Sequence, residues 1–115
     1  MRWQVVGGLA PRDSSMVVHR DRTARVDSVR GVTLGAREFR RLKDRLAAAR
    51  IKTLKRRYEP DMIVFDGITQ TVRHRGKSVS VSTGAEDVPR RLSRLLRVLG
   101  RIHDRHDAPP ETNPK

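Results

Sequence analysis

Residues 66–84 read DGITQTVRHRGKSVSVSTG, and this stretch decides between helix and sheet. Val79 and Val81 alternate with Ser78, Ser80 and Ser82, which puts them on opposite faces of an extended strand. Ile68 to Val72 form a matching β-prone run, and Arg75-Gly76 suits the tight turn of a hairpin. The prediction is a hairpin with one apolar face and one Thr/Ser/Arg face. The apolar run at residues 62–65 reads as strand leading into it.

On the C-terminal side, Pro89 opens a helix, with Asp87 close enough to cap it. Val88, Leu92, Leu95, Leu96, Leu99 and Ile102 recur at helical spacing and form an apolar stripe. Arg90, Arg94, Arg97, Arg101 and Arg105 follow the other side. Leucine is therefore expected against the valines of the hairpin and arginine toward water. The end of this helix, HDRHD at residues 103–107, reads as a polar, fraying turn.

On the N-terminal side, Thr33 is a plausible N-cap for a helix over LGAREFRRLKDRLAAARIKTLKRRY. Phe39, Leu42, Leu46 and Ala49 lie three, four and three apart, the spacing of one helical face. The stripe then rotates, so the helix bends or ends near Arg50. Lys55, Arg56 and Arg57 suit a helix C-terminus, and Pro60 forbids continuation. Earlier still, Trp3 and Val5 alternate with Arg2 and Gln4, and Gly7-Gly8 and Pro11 interrupt them. Residues 16–18 and 23–29 read as two more short strands around a polar turn at 20–22.

These pieces predict one α+β domain over residues 1–106. It would be a small antiparallel sheet in ββα-ββα order with two helices packed on one face. Residues 107–115, proline-rich and polar, read as a disordered tail. A length of 115 residues suits a single domain.

Charge narrows the partners. Lys and Arg number 26 against 13 Asp and Glu, a formal net charge of +13, which invites a polyanion. Arginine makes up 21 of those cations and is spread along the chain, so composition alone does not locate a site. The chain has no cysteine, which excludes disulfides and thiolate chemistry. It has no apolar run long enough to cross a bilayer and no signal-peptide pattern, so the expected setting is cytoplasmic, away from membranes.

Catalytic motifs are missing: no GxSxG, HExxH, P-loop or GxGxxG occurs. The expectation is a protein that is not an enzyme, with no catalytic residue, cofactor or metal. His103 and His106 share a helix face, yet two ligands fall short of a zinc site. For nucleic acid, the candidate polyanion contacts are Arg73, Arg75 and Lys77 at the hairpin tip and Arg94, Arg97 and Arg101 on the last helix. The chain has one Trp, one Tyr and two Phe, and none is interleaved with these cations as a stacking platform.

Four segments resemble the emfourin family, small bacterial inhibitors of thermolysin-like metalloproteases. They are VVGGLA (residues 5–10), ARVDSVRGVTLGAREFRRLKDRLAAA (24–49), DGITQTVRHRGKSVSVSTGA (66–85) and VPRRLSRLLRVL (88–99). The resemblance implies a non-catalytic protein-binding domain whose partner is a metalloprotease. The candidate protein contacts are Gly7, Gly8, Leu9 and Arg12, with the hairpin tip as a second surface. The alternative expectation is a basic nucleic-acid-binding or nucleoid-associated module using the arginine-rich helix face and the hairpin tip.

Overall fold

The computed structural model describes residues 1–7, 14–27, 30–62 and 67–107. The strands are β1 (Arg2–Gly7), β2 (Ser14–Val18), β3 (Thr23–Val26), β4 (Arg30–Thr33), β5 (Arg57–Tyr58), β6 (Ile68–His74) and β7 (Lys77–Ser82). Helix α1 spans Ala36–Ala49, a 3-10 turn follows at Ile51–Thr53, and α2 spans Arg90–Asp107. The fold is α+β. Among the described residues it consists of one 7-stranded mixed sheet, in the order β4-β3-β2-β1-β6-β7-β5, and two α-helices.

Register explains the core. Val26, Met16, Trp3, Val72 and Val79 are successive cross-strand partners from β3 to β7. This row lines one face of the sheet, and every member is at least nine-tenths buried. Leu42 and Ala49 of α1 and Leu92, Leu95, Leu99 and Ile102 of α2 join the same buried cluster. Both helices thus cover one face, and dehydrating this cluster is the main driving force for the two-layer arrangement.

The hairpin forms as predicted. Arg75 and Gly76 have φ of 51° and 82°, the left-handed pair that a primed two-residue turn requires. Helix α1 ends where its stripe rotates, with Arg50 in the left-handed conformation and its N–H donating to the Ala47 carbonyl.

Other expectations need correction. The sheet is larger than two hairpins and is not purely antiparallel. Thr33 ends β4 and pairs with Thr23, so Gly35, not Thr33, takes the N-cap position of α1. Arg57 and Tyr58 form no helix end. They pair in parallel with Ser80 and Val81, and burial of Tyr58 draws the chain back to the sheet. Helix α2 packs chiefly against α1 and meets the sheet most closely at β3 rather than at the hairpin. Of the apolar run at 62–65, Met62 is exposed in a bend, and residues 63–65 lie outside the described residues. Asp107 belongs to α2, and the remainder of the expected tail lies outside the described residues.

The end of α2 is anchored, contrary to the expectation of fraying. His103 is buried, its Nε2 lies 2.9 Å from Asp27 Oδ1, and its ring centroid is 5.2 Å from that of Trp3. One turn on, His106 Nε2 lies 2.9 Å from Glu38 Oε1, and Arg105 donates to Glu38 Oε2 at 2.9 Å. The Glu38 side chain is only 8% exposed, so α2 closes over the first turn of α1.

Candidate binding surfaces

Two surfaces are built from the residues singled out above, at different places on the sheet. At one end, β1 stops at Gly7, whose φ is 112°, a conformation natural only to glycine. A Cβ there would lie 2.4 Å from the Gly67 carbonyl oxygen, because Gly7 and Ile68 are paired across the sheet. Val5 pairs with Ser14, so residues 6–13 connect two backbones held together by the sheet. Gly8, Leu9 and Arg12 lie outside the described residues. Val6 and Ile68, at this same end, are exposed apolar side chains.

The sheet face turned away from the helices forms the second surface. Parity along each strand, combined with register, assigns its rows. One row runs Arg25, Val17, Arg2, Arg73, Ser78, and the next runs Ser15, Gln4, Thr71, Ser80, Arg57. Arg2, Gln4, Arg25, Arg57 and Arg73 are exposed. Thr71 and Ser80 share a hydroxyl hydrogen bond of 2.9 Å, and Thr69 and Ser82 share one of 3.1 Å. Among the described residues, no carboxylate occupies a strand position on this face.

The predicted polyanion contacts do not form one surface. Arg73 lies on the open face and Arg75 is exposed in the adjoining turn. Lys77 is on the other side of its strand. Its ammonium donates to the Lys52 carbonyl at 2.9 Å and to the Leu54 carbonyl, fastening β7 to the 3-10 turn. Arg94, Arg97 and Arg101 are exposed on α2, in the helix layer. Sequence reasoning overlooked Arg2, Arg25 and Arg57 as partners of Arg73. Strand parity was visible for Arg2 and Arg25, but Arg57 read as a helix end and the pairing of β1 with β6 was not visible.

A cleft of about 720 Å³ opens between α1 and the hairpin end of the sheet. Val18, Phe39, Leu42 and Leu46 contribute apolar lining, and Arg20 and Lys43 contribute charge. His74 also lines it. Burial, and then the positive charges of the N-terminus, Arg75 and Arg20, hold the His74 pKa below the ordinary histidine value.

Among the described residues no group of three or more His, Cys, Asp or Glu side chains is gathered in a way that would hold a metal ion. His103 and His106 point to different carboxylates, Asp27 and Glu38. No described helix is long and apolar enough to cross a membrane. Among the described residues the fold is thus α+β in two layers, with one sheet face that neither helix covers and that carries exposed arginines. Neither a protein-family model nor a curated protein matches the chain.

Proposed function

We infer that this chain is a non-catalytic protein-binding domain that inhibits a thermolysin-like metalloprotease by presenting residues 8–13 to it. The carrying observation is the anchorage of that segment. Gly7 is packed against Gly67 on one side, and Ser14 is paired with Val5 on the other. A segment whose ends are held by a rigid sheet loses less conformational entropy on binding, which favours a tight, stoichiometric inhibitor. The resemblance of VVGGLA and the hairpin segment to emfourins supports the same reading, and the net charge of +13 speeds association with an acidic enzyme.

The test is titration of a thermolysin-like protease with the purified chain. Inhibition that saturates at one chain per enzyme, and that weakens at least about tenfold in a Leu9→Glu, Arg12→Glu variant, supports the assignment. An enzyme fully active beside equimolar chain at micromolar concentration sinks it.

A further inference from the structure

The open sheet face has a composition that a protein interface does not explain. Specific protein interfaces rest on a desolvated apolar centre with aromatic or aliphatic anchors. The rows described above offer arginine, serine, threonine and glutamine, with Val17 half-buried among them and Val6 at one corner. No aromatic residue occupies a strand position on this face. Arginine, serine, threonine and glutamine are the side chains that contact phosphate oxygens and sugars in nucleic-acid complexes.

Geometry adds scale. Neighbouring strands lie about 4.8 Å apart, so the row from Arg25 through Val17 and Arg2 to Arg73 spans about 14 Å. Arg57 stands at the end of the neighbouring row, beyond Thr71 and Ser80. The cations are thus spread across the sheet and do not converge on one point, a layout suited to a repeating anion. Folding itself does not require them there, since they lie exposed and partner no carboxylate in their own rows.

We propose that the open face, through Arg2, Arg25, Arg57 and Arg73 with the Thr71 and Ser80 hydroxyls, docks the phosphate backbone of duplex nucleic acid without reading its sequence. The absence of aromatic side chains selects duplex over single strand, because single-strand binders gain much of their affinity from base stacking. None of these residues belongs to the segment at 8–13, so duplex binding and protease inhibition are tested with separate variants.

The experiment measures fluorescence anisotropy of a labelled DNA duplex of about two helical turns, with the full chain, at about 50 mM salt and upward. Binding is expected to be saturable and indifferent to sequence. With about four phosphate contacts, affinity falls about a hundredfold between about 50 and 200 mM salt. The triple variant Arg2→Glu, Arg25→Glu, Arg73→Glu loses at least about tenfold in affinity and flattens the salt dependence. The control Arg94→Glu, Arg97→Glu, Arg101→Glu carries the same change in net charge and retains affinity. Circular dichroism confirms that both variants are folded.

Any of these binding results overturns the proposal: no saturable duplex binding at low salt, equal losses in the two triple variants, or a single strand of the same sequence bound as tightly as the duplex. If the sheet-face variant loses protease inhibition but keeps duplex affinity, the face belongs to a protein partner and the proposal also fails.

Discussion

The imidazole of His103 reaches across from α2 to Asp27, at the end of β3, with 2.9 Å between Nε2 and Oδ1. The same Asp27 oxygen accepts the backbone N–H of Ser15 at 2.9 Å. One carboxylate therefore joins the last helix to two strands, and the ring of His103 sits beside Trp3 at the centre of the sheet.

Replacing His103 with alanine removes both the hydrogen bond and the packing against Trp3. The expected loss is about 2–4 kcal/mol, because a buried ring leaves a cavity and its polar partner loses a bond. Urea unfolding measures it. A loss under about 0.5 kcal/mol, typical of a surface substitution, shows that α2 is not anchored there.

Two glycines separate conformational from steric strain. Both Gly7 and Gly76 have positive φ, but a Cβ on Gly7 meets the Gly67 carbonyl at 2.4 Å while one on Gly76 meets nothing within 4 Å. Gly76→Ala should cost about 1 kcal/mol, the penalty of the left-handed conformation alone. Gly7→Ala should cost at least about twice that, since backbone must move as well. Equal midpoints in denaturant for the two variants contradict the close approach of β1 and residue 67.

Lys77 is expected to behave as a structural residue. Lys77→Met leaves the Lys52 and Leu54 carbonyls without its ammonium, at a cost of about 1–2 kcal/mol. Duplex affinity should stay within about twofold of the parent, whereas Arg73→Met lowers affinity and leaves stability alone. The reverse pattern places Lys77 in the binding surface.

His74 makes stability depend on pH. Its folded-state pKa lies below the ordinary value of 6.5, first through burial and then through nearby positive charge. The unfolded chain therefore binds a proton more readily, so stability falls as pH drops from about 7 toward 5 and is regained as pH rises. His74→Gln should flatten that part of the stability profile. An unchanged slope in thermal melts across the window removes His74 as the cause.

Much of the fold could be read locally. Alternation in KSVSVS, the primed turn at Arg75-Gly76 and the leucine stripe of α2 each arise from neighbours in sequence, and each appears in the structure. The same holds for the end of α1 at Arg50, where the apolar spacing shifts. Local patterns failed where a long-range partner decided the outcome. Thr33 has the chemistry of a cap, yet pairing with Thr23 makes it a strand residue. Arg57-Tyr58 has the charge of a helix end, yet a place beside β7 and burial of the Tyr58 ring draw it into the sheet.

The candidate surfaces divide in the same way. Arg73 and Arg75 stood out because they crowd one turn, and Gly7 because it closes a strand. By itself the sequence determined the periods: which side chains share a face of each element, how basic the chain is, and which catalytic motifs it does not contain. Only tertiary structure decided which of those faces meet. Strand pairing set Arg2 beside Arg73, 71 positions away in the chain, and the choice of which sheet face the helices cover left those arginines in water. Pairing of distant strands is settled by the dehydration of the whole core, a sum over many residues that no local window contains.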